Sequence, residues 1–211
     1  MTGERISFVA VDWGSTARRA YAVGRDGRVI DEMEDALGAL TVDPESFATE
    51  AAALRRRFGP VPLLMAGMVG SNRGWVEVPY VPCPASIGDV AAQMLWVEPG
   101  AAAIVPGLSL VVGGRADVMR GEETQIYGVA AMAEIGDRAL ICHPGTHTKW
   151  IEVERGAITR FRTIMTGEMF ALFRKHSILA NLLAGPAVVG PAFLDGVERG
   201  WGTSSIGAEL F

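Results

Sequence analysis

Cysteine is scarce in this chain. Of 211 residues only Cys83 and Cys142 carry a thiol, far apart and at no spacing that a metal site uses. A disulfide framework is excluded as the source of stability, and two reduced thiols are expected. There are three histidines; His143 and His147 stand four apart, but in a segment of strand and turn rather than helix, so a metal pair is not expected. Long apolar runs are missing as well, since no window reaches the roughly 18 apolar residues that a membrane helix needs. No basic stretch precedes an apolar run at the start, which speaks against a secretory leader. With a net charge of -5 and basic residues scattered except at Arg55-Arg56-Arg57, expected on the solvated face of a helix, nothing draws the chain to nucleic acid or anionic lipid. A cytoplasmic protein without nucleic-acid or membrane partners is expected.

What the chain has is enough apolar content, 49%, to bury a proper core, in strands and helices that interleave. Residues 6 to 12, "ISFVAVD", read as a buried strand, and "RRAYAVGRDGRVIDEM" as two more joined by a turn near Asp26-Gly27. Asp43 and Pro44 stand as N-cap and first helical residue of a helix over 44 to 58, with Phe47, Ala51, Leu54 and Phe58 on one face. "VPLLMAGMV" (61 to 69) and "LSLVVGG" read as strands, 121 to 135 as a helix, and "RALICHPG" (138 to 145) as a further strand. "KWIEVERGAITRFR" reads as a hairpin turning at Gly156, followed by a helix over 167 to 176 capped by Thr166. Met165, Met169, Phe170 and Phe173 are expected in the core.

The opening stretch has an echo. "FVAVDWGSTARRAYAVGRDGRV" and "ALICHPGTHTKWIEVERGAI" share an order of apolar strand, glycine with a hydroxyl residue, strand, glycine-containing turn and strand. Laying Gly14 on Gly145 pairs Ser15 with Thr146 and Arg18 with Lys149. Glycine lets backbone N–H groups approach an anion, hydroxyls donate to phosphate oxygens, and a basic side chain neutralises charge on a transferring group. A carboxylate at a strand end, here Asp12, can hold Mg2+ or its water ligands. The pattern is that of two phosphate-binding hairpins facing each other across a cleft.

These loops are similar to the two phosphate motifs of the sugar kinase, Hsp70 and actin superfamily. Together, "DWGST", "AGMVGSNRGW", "VMRGEETQIYG", "PGTHTKW" and "TIMTGE" resemble the 2-dehydro-3-deoxygalactonokinase family from about residue 6 to the end. The resemblance implies an α/β chain with a two-lobed ribonuclease-H-like, actin-like ATPase fold, a first lobe over 1–135 and the start of a second over 136–211. It implies transfer of the ATP γ-phosphate to the 6-hydroxyl of 2-dehydro-3-deoxy-D-galactonate in galactonate catabolism, with Mg2+ as cofactor. The same parts suit another sugar or polyol kinase or a phosphohydrolase of the superfamily, or a noncatalytic sugar-acid-binding module. A late glycine-rich element that holds adenosine in these kinases is not legible in "LLAGPAVVGPAFL", which reads as a variable connection, so the second lobe is expected to be incomplete. Such a lobe would expose apolar surface and favour a homodimer.

On this reading Gly14, Ser15, Thr16, Gly145, Thr146, Thr148 and Lys149 bind the ATP phosphates, and Asp12 serves the metal. Glu122 and Glu123, at a helix N-terminus that favours the ionised carboxylate, are the candidate proton acceptors. They stand where related kinases carry an Asp in a Gly-Asp-Gln block; the choice between them is open, and Asp117 is held in reserve. Ser71, Asn72, Arg73 and Trp75 follow a buried strand and are expected to meet the sugar acid, with Arg18 reaching either its carboxylate or phosphate. Glu168 begins its helix either as a cap-region acid or facing the cleft.

Overall fold

The computed structural model describes residues 5–132, 135–203 and 205, and the chain divides into two compact units, Met1–Met165 and Thr166–Phe211. In chain order the first unit holds β1 (Ile6–Trp13), β2 (Arg18–Gly24), β3 (Val29–Asp35), α1 (Phe47–Phe58), β4 (Leu63–Gly67), β5 (Val81–Pro82), β6 (Ala85–Ser86) and α2 (Ile87–Ala92). It continues through β7 (Leu95–Glu98), β8 (Ala102–Ile104), β9 (Leu108–Val112), β10 (Arg115–Met119), α3 (Glu122–Met132), β11 (Arg138–His143), β12 (Thr148–Glu154) and β13 (Ala157–Ile164).

The main sheet runs β3-β2-β1-β4-β8-β7. Three antiparallel strands come first, then β4 lies parallel to β1 and β8 parallel to β4. This is the ribonuclease-H-like start expected from the sequence. Its consequence is that the C-terminal ends of β1 and β4 sit side by side, with Asp12 paired to Ala66 and Trp13 to Gly67.

On one face of the sheet the alternation of β1 delivers Val9, Val11 and Trp13 to α1. The helix answers with Phe47, Ala51, Leu54 and Phe58, all buried, and Trp13 lies tilted on Phe47 at 5.4 Å between ring centres. Phe47, Leu54 and Phe58 each contribute about 1.5–3 kcal/mol by leaving water. The Asp43 carboxylate accepts from the Glu45 N–H and Pro44 opens the first turn, but that turn, Pro44–Ser46, is 3-10 and the α-helix begins at Phe47.

A second sheet runs β11-β12-β13-β6, again three antiparallel strands in sequence order. Both sheets thus open with the same antiparallel triple, as the two-lobed actin-like class requires. The fourth strand comes from far upstream: β6 joins β13 through Ala157 opposite Ser86 and Ile158 opposite Ala85. Buried Ile151, Val153, Ile158 and Phe161 form a second core with Ile126 and Tyr127 of α3, and the Tyr127 hydroxyl donates to the Ala85 carbonyl at 2.6 Å. A small sheet, β10-β9-β5, leads into α3. Strand β10 and the short elements between β4 and β9 carry no clear alternation and escaped the sequence reading.

The second unit holds α4 (Thr166–His176) and α5 (Pro191–Gly202). Segment 182–194 was expected as a variable connection, yet Gly190 is the N-cap of α5 and Pro191 its first residue, a position where the missing proline N–H costs nothing. The expected core residues Met165, Met169 and Phe170 are instead exposed, and Phe173 is half-buried. For Met169, Phe170 and Phe173 the physical reason is that no residue of the second unit is buried among those described, so its helices have no interior of their own to fill. Among the described residues no helix is long and apolar enough to cross a membrane.

Candidate active site

The site is built where β1, β4 and α3 end or begin. β4 finishes at Gly67, whose φ of 94° only glycine adopts readily, and α3 is entered through Gly121 at φ 107°. The two glycines touch: a Cβ on Gly121 would lie 3.2 Å from the Gly67 Cα. A Cβ on Gly67 would in turn lie 3.6 Å from Asp12 Oδ1. Two bare backbones therefore bring the N-terminus of α3, with Glu122 and Glu123, up against the strand end that carries Asp12.

The two glutamates differ sharply. Glu123 has no exposed surface, and both of its carboxylate oxygens accept from the Gly121 N–H, at 2.9 and 2.7 Å. Burial pushes its carboxyl up to about 8, against the pull of those backbone donors. Glu122 keeps its side chain 22% exposed, accepts from the Arg120 N–H at 3.0 Å, and has the Lys149 ammonium 3.8 Å away.

Asp12 is half-buried in the wall of a cleft of about 650 Å³, with Arg19, Tyr21, Ala66, Thr124 and Gln125 among its lining. Burial raises the Asp12 carboxyl above its ordinary value, and the facing Arg19 guanidinium partly offsets this. Arg19 is itself paired with Glu34 at 3.0 Å.

The first expected phosphate loop, Gly14 to Thr16, is shaped by its neighbour. Ala39 and Leu40 donate their N–H groups to the Gly14 and Ser15 carbonyls at 2.8 and 3.0 Å, and the Trp13 indole donates to the Leu37 carbonyl at 2.7 Å. With those carbonyls engaged, the Ser15 and Thr16 hydroxyls make no hydrogen bond among the described residues. Arg18 turns to the other side of the sheet. It is buried, lies 4.8 Å above the Trp13 ring, and pairs with Asp35 at 2.6 Å and Glu50 at 3.3 Å.

The second loop is more open. Gly145 and Thr146 are exposed, while Thr148 is buried and its hydroxyl accepts from the Gly145 N–H at 3.4 Å. Lys149 is buried too and donates to the Val118 carbonyl at 2.9 Å and the Thr163 hydroxyl at 2.7 Å. The His143 ring shares a 2.8 Å hydrogen bond with Gln125, which joins the end of β11 to the cleft wall.

In the expected substrate loop the residues divide. The Ser71 hydroxyl donates to the Met68 carbonyl at 2.8 Å, and Trp75 stacks on Phe47 with ring planes 8° apart, so both serve the fold. Asn72 and Arg73 remain exposed. Arg120, which sequence reasoning passed over inside "VMRGEETQIYG", ties this loop to α3: it donates to the Val78 carbonyl at 2.7 Å and lies 4.3 Å over the Tyr80 ring. Thr163 was missed as well: it pairs with Lys149 as Asp35 pairs with Arg18, but both lie beyond the stretches that the echo spans. Asp117, the reserve acid, is turned to Thr163, whose N–H and hydroxyl it accepts at 2.7 and 2.6 Å.

The sequence pattern of the 2-keto-3-deoxy-galactonokinase family matches residues 12–211. The chain is 36% identical over 206 residues to the 2-dehydro-3-deoxygalactonokinase of Escherichia coli (strain K12), a match covering 97% of this chain and 69% of that protein. It is 35% identical over 201 residues to a probable 2-dehydro-3-deoxygalactonokinase of Rhizobium meliloti (strain 1021), covering 91% and 65%. A Sinorhizobium meliloti crystal structure provisionally given the same name superposes with a TM-score of 0.84 at 34% identity, covering 91% of this chain and 66% of that one. The chain thus spans about two thirds of the length of the relatives it matches. It belongs to the 2-keto-3-deoxy-galactonokinase family.

Proposed function

We propose that this chain carries the phosphoryl-transfer site of a sugar-acid kinase that moves the ATP γ-phosphate to the 6-hydroxyl of 2-dehydro-3-deoxy-D-galactonate, in the cytoplasm, as a step of galactonate catabolism. The observation that carries the reading is the Gly67–Gly121 contact, which brings the start of the helix that carries Glu122 against the strand end that carries Asp12, whose carboxylate stands in the cleft wall with Thr124 and Gln125 of that helix. Phosphoryl transfer needs little covalent help from protein and much positioning of charge, and this layout supplies it.

Asp12 fits a hard cation. It offers carboxylate oxygens at the cleft wall, and among the described residues no third acidic, histidine or cysteine side chain gathers into an all-protein cage. Mg2+ is commonly held this way, by one or two carboxylates, water and substrate phosphates. When bound it would neutralise charge on the phosphates. Gly14, Ser15 and Thr16 on one hairpin and Gly145, Thr146 and Thr148 on the other are the proposed phosphate contacts, supported on the first by the Ser15 and Thr16 hydroxyls, which make no hydrogen bond among the described residues, and on the second by the exposure of Gly145 and Thr146. Asn72 and Arg73 are proposed to meet the sugar acid, a guanidinium being suited to a carboxylate.

Glu122 is the proposed acceptor of the hydroxyl proton. It is the exposed member of the pair and lies at the N-terminus of α3, whereas Glu123 is sealed off and occupied by the Gly121 N–H. In this reading 1–135 forms the first lobe and 136–211 begins the second. The test is ADP release with a panel of hexonates, keto-deoxy acids, simple polyols and water as acceptors. Turnover that depends on 2-dehydro-3-deoxy-D-galactonate supports the proposal. Equal rates with water alone would identify a phosphohydrolase instead.

A further inference from the structure

We infer that Lys149 acts as a positioning residue, the centre of a polar knot that holds the Glu122 carboxylate in place, and that it does not serve as a phosphate ligand. The Lys149 side chain is only 5% exposed, and its ammonium is turned to partners inside the protein. It donates to the Val118 carbonyl at 2.9 Å and to the Thr163 hydroxyl at 2.7 Å, and faces Glu122 Oε1 at 3.8 Å. Of the ammonium's three donor directions two are taken up by hydrogen bonds, and Glu122 stands within ion-pair distance of it.

The knot extends one step further. The Thr163 hydroxyl, having accepted from Lys149, donates to Asp117 Oδ1 at 2.6 Å, and the Thr163 N–H donates to Asp117 Oδ2 at 2.7 Å. Asp117 also accepts from the Val118 N–H at 2.8 Å. Lys149 and Thr163 belong to the second hairpin, whereas Asp117 and Val118 belong to β10, the strand that runs into Arg120, Gly121 and Glu122. Charged and neutral groups inside a low-dielectric interior hold one another firmly when they are hydrogen-bonded, as Lys149, Thr163 and Asp117 are here. The second hairpin is thereby fastened to the turn that presents Glu122.

The first hairpin repeats the device. Trp13 pairs with Arg18 and Arg18 with Asp35, as His143 pairs with Lys149 and Lys149 with Thr163. In both hairpins a buried cation at the start of the second strand reaches a polar residue on the third, Arg18 to Asp35 at 2.6 Å and Lys149 to Thr163 at 2.7 Å. The basic residue of each loop is thus a fastening beneath it.

The kinetic consequence rests on the proposed role of Glu122; the geometric part does not. In the full chain, Lys149→Met and the gentler Thr163→Val are compared with the unaltered protein by hydrogen exchange and by kinetics. The Arg120 amide, which donates to Glu122, should exchange roughly tenfold faster or more in both variants as the carboxylate loosens. Thr163→Ser should restore protection, because it keeps the hydroxyl. In kinetics, kcat should fall about 10- to 100-fold with KM for ATP unchanged. Combining Lys149→Met with Glu122→Gln should cost no more than Glu122→Gln alone. Unchanged exchange at Arg120, or a raised KM for ATP with kcat intact, overturns the inference. Full activity in Glu122→Gln overturns the proton-acceptor role instead, and leaves the exchange result to decide the knot.

Discussion

Gly121 and Gly67 meet backbone to backbone, with only 3.2 Å between the place of an added Cβ and the neighbouring Cα. Gly121 also holds a φ of 107°, so a side chain there is strained as well as crowded. Gly121→Ala should destabilise the protein by about 1–3 kcal/mol. It should lower kcat more than it raises KM for the sugar acid, because it moves the start of α3 away from Asp12. Urea unfolding beside steady-state kinetics checks both halves.

The two glutamates should separate cleanly in mutation. Glu122→Gln is expected to lower kcat by roughly 10²- to 10⁴-fold, the usual worth of a general base, without loss of fold. A rate within a few-fold of the unaltered protein would remove Glu122 from the chemistry.

Glu123 makes a prediction about pH. Its carboxyl ionises at an ordinary value of 4.5 in the unfolded chain and at about 8 when buried. Between those values the folded state holds a proton that the unfolded state has lost, so folding becomes less favourable as pH rises through the window and levels off above it. The cost accumulates to the order of a few kcal/mol. Glu123→Gln carries no such group, so its melting temperature should gain on that of the unaltered protein from pH 5 to pH 8. A constant gap across that range would contradict the assignment.

Gly38 underlies the first loop, and an added Cβ would collide with the backbone of Ser15 and Thr16. Gly38→Ala should therefore push the loop outward. Overpacking of this kind costs about 1–3 kcal/mol, and KM for ATP should rise while the affinity for the sugar acid, measured by calorimetry, stays put.

Asp12→Asn should weaken the dependence on Mg2+, with the midpoint of a Mg2+ titration of activity rising by at least the roughly tenfold that loss of a supporting group costs a metal site. An unchanged midpoint would place the cation elsewhere.

Much of the fold was legible because its signals are local. The alternation of "ISFVAVD", the spacing of Phe47, Ala51, Leu54 and Phe58, and the glycine turns of two hairpins each announce an element without knowledge of the rest. The site was read as a set of loops; of its residues Asp12 stands in the cleft wall, with Thr124 and Gln125 of α3 beside it. Direction was not legible. In sequence Lys149 looks like a phosphate ligand and Arg18 like a contact for the sugar-acid carboxylate or phosphate, yet strand alternation and neighbouring carboxylates or hydroxyls turn both inward. Thr163 and Arg120 matter through partners 14 and 42 positions away, Lys149 and Val78, and no short motif encodes such a distance. The exposure of Met169 and Phe170 escaped for the same reason, since an apolar helix face says nothing of what covers it.

The most direct test of the central claim is phosphorus NMR of a mixture of ATP, Mg2+, 2-dehydro-3-deoxy-D-galactonate and this protein, run alongside its Glu122→Gln variant. The account predicts a new phosphomonoester signal coupled to the two protons on C6, growing as the γ-phosphate signal falls, and nearly absent with the variant. Release of inorganic phosphate without that ester, or an ester formed equally fast by the variant, would contradict it.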